Sequence, residues 1–256
     1  MNRYEGRRVL ITGAGSGIGQ ATVHRVLAEG GRVVAADVSE AGLKATYGTA
    51  EANGTAGRLT TTVLDISDET AVRTGVAAAV TALGGLDVLV NAAGILRSEH
   101  THKTSLEFFN KVIAVNLTGT FLMIREAIPA LLAGDKPAVV NFSSTSASFA
   151  HPYMSAYAAS KGGIQSMTHA LAAEYSKQGL RFAAVAPGSI SSDMTSGNGP
   201  GLPADADMSL FAKLAPALGE GFASPDTVAG AVAMLGSQDG AFITGTEIRI
   251  DGGTHY

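Results

Sequence analysis

Short runs of β-branched and apolar residues alternate with longer helical patterns from one end of the chain to the other. Val9-Leu-Ile-Thr12, Val33-Val-Ala-Ala36, Leu59 to Leu64, Val88-Leu-Val90, Val139-Val-Asn-Phe142, Phe182-Ala-Ala-Val185 and Glu247-Ile-Arg-Ile250 read as buried strands. Between them, residues 17–29, 40–52, 68–83, 105–133, 155–178 and 225–236 carry helical spacing. Strands joined by helical crossovers lie parallel, and the helices cover both faces of their sheet. Because such crossovers are right-handed, the expected architecture is α/β, a doubly wound parallel sheet of about seven strands.

No linker or internal repeat divides the 256 residues, so 1–256 reads as a single domain. One break in regularity spans 191–223, where Gly197, Gly199, Pro200, Gly201, Pro203, Pro216, Gly219 and Gly221 surround a short amphipathic piece, Met208 to Leu214. A connection of this length inside a compact domain is more often a lid or binding loop than a plain surface excursion. A hydrophobic share of 46% with 16% charged residues excludes the disordered class. A net charge of -4 without a basic run gives no footprint for nucleic acid. Cysteine is absent, which removes disulfides and thiolate nucleophiles. The residues Met1 to Arg8 lack the apolar core of a signal peptide, and no apolar stretch reads as the ~18 residues a membrane span needs. No membrane association and a cytoplasmic location are the default expectations.

Thr12-Gly-Ala-Gly-Ser-Gly-Ile-Gly19 follows the first strand and opens the first helix. A helix N-terminus offers unpaired N–H groups and partial positive charge, and glycines let a pyrophosphate approach that backbone. Gly13, Gly17 and Gly19 are spaced G-x-x-x-G-x-G, with Ile18 where G-x-G-x-x-G would need glycine. The pattern alone is weak; its position between strand and helix carries the inference. Asp37 ends the second strand, near the ~20-residue offset at which a carboxylate meets a ribose. Such a carboxylate can accept from both ribose hydroxyls and repels a 2′-phosphate. At an effective dielectric of ~20 and ~4 Å one such charge pair costs about 4 kcal/mol, which favours NAD over NADP. Ser16 stands before Gly17, where a basic residue would offset that preference.

Tyr157 and Lys161, four residues apart on a helix, share one face. A phenol of ordinary pKa ~10 needs about 4 kcal/mol of help to act as a base near neutrality. One ammonium at ~4 Å supplies about that much, and an oxidised nicotinamide would add to it. The alternative is a surface tyrosine beside a solvated lysine.

With these motifs in hand, the chain resembles the short-chain dehydrogenase/reductase family over essentially its whole length. The matching residues are Thr12-Gly-Ala-Gly-Ser-Gly-Ile-Gly19, Asp65, Asn91-Ala-Ala-Gly94, Asn116, Ser144, Tyr157-x-x-x-Lys161 and Pro187-Gly188. The resemblance implies a Rossmann fold and an NAD-dependent oxidoreductase acting on a small-molecule alcohol or ketone. It implies that Tyr157 exchanges the proton with the substrate oxygen, that Lys161 lowers its pKa and holds the nicotinamide ribose, and that Ser144, rather than its neighbour Ser143, bonds the substrate oxygen. Asn116 would hold a water linking Lys161 to solvent, although an amide satisfying a helix kink fits the same position. Asp65 and Ile66 would meet the adenine and Asn91 with Ala92 the adenosine side. Pro187, Gly188, Ile190 and Ser192 would meet the carboxamide, with Ser192 in place of the family's threonine. Residues 105–133 and the Tyr157 helix would pack against a partner subunit, giving a homo-oligomer, a tetramer by family expectation.

Other groupings carry less. His100 and His102 lack further ligands at metal spacing, so no metal is expected. His151 borders the substrate cleft or is a plain loop histidine. No G-x-S-x-G elbow surrounds Ser144. Two rival functions remain: a 3-oxoacyl-thioester reductase, expected to favour NADPH against the evidence of Asp37, and a cofactor-sensing binding protein on a dehydrogenase scaffold, expected to lack part of the catalytic set.

Overall fold

The computed structural model describes residues 2–192, 195, 201–219 and 221–255. Seven strands form one parallel sheet: β1 Arg8–Thr12, β2 Arg32–Asp37, β3 Leu59–Val63, β4 Val88–Asn91, β5 Ala138–Phe142, β6 Arg181–Pro187 and β7 Thr246–Ile250. Their order is β3-β2-β1-β4-β5-β6-β7, the single-domain Rossmann arrangement expected from the alternation. The helices are α1 Gly17–Ala28, α2 Glu40–Ala52, α3 Glu69–Leu83, α4 Leu106–Ile113, α5 Gly119–Leu132, α6 Ser155–Tyr175 and α7 Pro225–Gly236.

Alternation along β1 divides the core in two. Val9 and Ile11 face α1, α2 and α7, packing with Val23, Leu27, Leu43, Val228 and Val232. Leu10 faces the other way, with Val72 and Val76 of α3, Met123 and Ala127 of α5, and Ala172 of α6. Both faces of a parallel sheet are thus covered, which is why its central strands read as continuous apolar runs. The strand order reverses between β1 and β4, and at such a switch point ligands bind in the crevice outside the carboxyl ends of the strands.

Two expectations change. The stretch 105–133 is not one uniform helix: α4 and α5 are joined by a π-helical turn, Ala114–Thr118. One wide turn barely alters hydrophobic periodicity, so the pattern hides it. The joined helix Leu106–Leu132 is also long and apolar enough, by composition, to cross a membrane, contrary to the expectation that no such stretch exists. Its inner face, with Met123, Ile124, Ala127 and Leu131, is packed on the sheet as core.

Candidate active site

The loop after β1 is wired to both neighbouring strands. Ala14 N–H donates to Ala36 O at 3.1 Å, and Ala93 N–H donates to the Thr12 hydroxyl at 3.3 Å. Gly13 has φ +67°, and a Cβ there would lie 2.6 Å from the Ala93 backbone nitrogen. A Cβ on Gly19 would lie 2.0 Å from Gly13 O and Gly17 has φ +53°, so all three glycines are required by the folding of the loop itself.

The start of α1 differs from that of α2, α3, α4 and α7, each capped by its own side chain, from Ser39, Asp68, Ser105 and Ser224 respectively. Ser16 at the head of α1 makes no side-chain cap, and the first turn holds no acid. Its N–H groups and partial positive charge are therefore left for an external anion. Opposite them, a Cβ on Gly17 would come within 3.3 Å of Ser192 Cβ, so the segment after β6 closes the cradle from the far side. These features fit the pyrophosphate of a dinucleotide.

Asp37 accepts from Gly15 N–H at 2.9 Å through one carboxylate oxygen and from Ser39 N–H at 2.8 Å through the other. Each oxygen keeps acceptor capacity for a ribose hydroxyl. Asp65 accepts from the backbone and hydroxyl of Ser67, which holds its carboxyl below the usual range. The Ile66 side chain is buried against Gly119, leaving only its backbone for an adenine. Asn91, expected beside the adenosine ribose, likewise keeps its side chain for the fold. Its side chain is buried and donates to Asn141 Oδ1 at 2.9 Å, while Asn141 donates to Thr168 Oγ1 at 2.9 Å. That amide belongs to a polar ladder joining β4, β5 and α6, so a cofactor would meet the backbone of Asn91 and Ala92.

Tyr157 is the third residue of α6 and Lys161 lies one turn on. Lys161 Nζ is 5.6 Å from the Tyr157 ring centroid and donates to Phe142 O at 2.7 Å. Contrary to the expectation that Lys161 lowers it, burial pushes the phenol up to about 12, opposed by the Ser144 hydroxyl beside it. Burial also pulls Lys161 down to about 8, so the ammonium still predominates at neutral pH. Ser144 heads a short turn, accepting from Ser146 N–H, whereas Ser143 donates to Lys161 O and serves the helix. Asn116 sits in the π-turn, fully buried. It accepts from Ile95 N–H at 2.8 Å and donates to Ile95 O at 2.9 Å and Ser160 Oγ at 3.0 Å. Its amide thus ties the post-β4 strap to the catalytic helix.

Residues 13–255 match the family described as "Enoyl-(Acyl carrier protein) reductase". The 3-oxoacyl-(acyl-carrier-protein) reductase FabG of Thermotoga maritima is 36% identical over 251 residues, covering 98% of both chains. The chain belongs to the short-chain dehydrogenase/reductase family. Two solved members share its fold. A short-chain dehydrogenase of Mycobacterium paratuberculosis bound to NAD has a TM-score of 0.89 at 29% identity, covering 98% of each chain. One from Burkholderia cenocepacia in complex with NADP has a TM-score of 0.86 at 32% identity, covering 99% of each. The protein is accordingly an oxidoreductase using NAD or NADP on alcohol and ketone groups.

Within this short-chain dehydrogenase/reductase, three supports escape sequence reasoning. Ser160 donates to Tyr157 O at 2.7 Å and accepts from Asn116, joining two site residues through one hydroxyl. Thr195 donates to Ile190 O at 2.8 Å and accepts from Ser192 N–H at 3.0 Å, which folds the post-β6 segment over the cradle. Thr145 and His151 meet at 3.3 Å beside Ser144. Ser160 lies one residue before Lys161, and that adjacency was the only available signal. Of the 191–223 loop, 193, 194, 196–200 and 220 lie outside the described residues. His100, weighed above as a ligand, pairs with Asp205 at 2.8 Å.

Proposed function

We propose that this protein is an NAD(H)-preferring oxidoreductase that interconverts a secondary alcohol and a ketone, with Tyr157 as general acid and base. The observation that carries the reading is Tyr157 standing between Ser144 and Lys161. In ketone reduction the phenol, protonated at neutral pH, gives its proton to the carbonyl oxygen, which Ser144 steadies by donating a hydrogen bond. In alcohol oxidation the phenolate takes the hydroxyl proton, and the charge of Lys161 stabilises that phenolate. The bound dinucleotide would supply or accept the hydride. Lys161 spends one donor on Phe142 O and keeps two for a ribose hydroxyl and a water. Asn116 holds the strap above this group rather than moving the proton itself. Gly13, Ser16, Gly17, Ile18 and Gly19 cradle the pyrophosphate, Asp37 selects the 2′-hydroxyl, and Pro187, Gly188, Ile190 and Ser192 meet the carboxamide.

The 191–223 connection is the substrate loop in this reading. We propose a homotetramer as well, a reading supported by exposed apolar side chains in two places: Leu106 and Phe121 on α4 and α5, at 73% and 44% exposed, and Phe242 before edge strand β7, fully exposed. A cytoplasmic location accords with a dinucleotide-using enzyme. The second reading, a 3-oxoacyl-thioester reductase, is favoured by the identity to the Thermotoga maritima enzyme. The test is a screen of secondary alcohols, ketones and 3-oxoacyl thioesters with both dinucleotides, followed by nicotinamide absorbance. Turnover of simple ketones with NADH supports the first reading, thioester turnover with NADPH the second, and no turnover of any removes both.

A further inference from the structure

An open cleft of about 610 Å³ lies beside the catalytic turn, lined by Phe149, Lys213, Ala215, Arg249, Thr254 and His255 among others. Its walls come from three places: the turn after Ser144, the substrate loop, and β7 with the chain beyond it. Arg249 pairs in register with Ala186 near the C-terminal end of β6, so the cleft opens at the end of the sheet where ligands bind. It connects to the catalytic groups through a chain of contacts. Thr145, next to Ser144, meets His151 at 3.3 Å and donates to Pro187 O at 3.5 Å, and the His151 ring lies 5.8 Å from the His255 ring.

The chemistry of the lining is cationic on an aromatic floor. His255 stacks on Phe149 with centroids 4.0 Å apart, and the Arg249 guanidinium lies 5.2 Å from the Phe149 centroid. Arg249 Nη1 donates to His255 O, which fixes the guanidinium and leaves its other N–H groups for a ligand. Neither Lys213 nor Arg249 takes part in an ion pair among the described residues. Of the acids two residues to either side of Arg249, neither pairs with it: Glu247 Oε1 accepts from Gln165 at 3.0 Å and Asp251 Oδ1 from Gly253 N–H at 3.0 Å, while Glu247 Oε2 and Asp251 Oδ2 are buried without a partner among the described residues. A planar, aromatic-backed guanidinium and an exposed ammonium lining one cleft are a donor set that recognises a carboxylate or similar oxyanion.

We infer that Arg249 and Lys213 form an anion subsite of the substrate pocket, so that the preferred substrates are ketones or alcohols carrying a terminal carboxylate or comparable acidic group. The inference rests on the oxidoreductase reading above. The probes are straight-chain methyl-ketone carboxylates of increasing length, each beside its neutral methyl ester. At the length that spans the site, the acid should exceed its ester in kcat/KM by roughly tenfold or more, the modest end for a charge-assisted contact in an open cleft. The difference should lie in KM, and added salt should shrink it. Arg249→Gln and the loop variant Lys213→Gln should each lower the acid-to-ester ratio, and the double variant should bring it near one. As a readout independent of turnover, a saturated carboxylate of that length should raise the melting temperature of the wild type more than the matching primary alcohol does, and lose that advantage in Lys213→Gln. Esters used as well as acids at every length, or a ratio unchanged in the double variant, overturns the subsite while leaving the oxidoreductase reading intact. No turnover of either series, with no dinucleotide binding, overturns both.

Discussion

The two halves of the crevice are built differently. On the dinucleotide side, the loops after β1, β2 and β4 are cross-linked by backbone and buried side-chain bonds: Ala14 to Ala36, Gly15 to Asp37, Ala93 to Thr12. On the substrate side, the chain between β6 and α7 is held by scattered contacts at its surface. Asp207 N–H donates to the Tyr153 hydroxyl at 2.8 Å, Asp205 pairs with His100, and Leu218 N–H donates to Gly252 O at 2.8 Å. A ligand common to many enzymes can be met by backbone geometry fixed in the fold. A variable substrate is met by side chains on a loop whose replacement leaves the core intact.

That contrast can be broken at its strongest point first. Tyr157→Phe keeps the ring and its packing but removes the proton, so turnover should fall by at least ~100-fold with dinucleotide affinity little changed, as steady-state rates beside a binding titration would register. Lys161→Ala should instead lower both turnover and dinucleotide affinity, and comparing the two variants separates a catalytic pair from a structural one. Next in size, Gly13→Ala should cost about 1–3 kcal/mol of stability and abolish dinucleotide binding, because φ is positive there and the Ala93 backbone is in the way. Denaturant melts with and without NADH would measure it.

Asp37→Ala should narrow the NAD-to-NADP preference by roughly tenfold, less than the bare Coulomb figure because solvent screens the site, and paired titrations would quantify it. The smallest effect is expected on the loop. Tyr153→Phe removes the acceptor for Asp207 N–H at an exposed position, so stability should change by less than about 0.5 kcal/mol while KM for substrate rises. A loss of dinucleotide affinity there as large as that of Gly13→Ala would erase the distinction between the halves.

The same contrast explains what was legible in the sequence. All seven strands were read within one or two residues, because buried parallel strands have no alternation to confuse and turn residues bound them. Gly13, Gly17, Gly19, Asp37, Ser144, Tyr157 and Lys161 converge on one crevice because their spacing follows from β-α geometry. The π-turn at Asn116 was hidden, since a single wide turn leaves the apolar period almost unchanged. The inward turn of the Asn91 amide was hidden too, because strand position gives a face but not a hydrogen-bond partner. Around the further cleft, Lys213 of the substrate loop, Arg249 of β7 and His255 beyond it are far apart in sequence and no periodicity links them.

The pH dependence follows from the buried pair. With the phenol raised to about 12, Tyr157 stays protonated through the neutral range, so ketone reduction should stay nearly level there while alcohol oxidation rises with pH as the phenolate fraction grows. Lys161, at about 8, would lose its charge above that value, so the rise in oxidation should flatten there. Initial rates in both directions from pH 6 to pH 10 test both trends.

The central claim is that hydride reaches a carbonyl carbon while Tyr157 supplies the proton. It is tested most directly by incubating the protein with an accepted ketone and NADH deuterated at the transferred position, then locating the label by mass spectrometry. One deuterium per alcohol formed is expected, on the carbinol carbon, with product formation lost in a folded Tyr157→Phe protein that still binds NADH. Alcohol formed at the wild-type rate by Tyr157→Phe, or product without deuterium on that carbon, would contradict it.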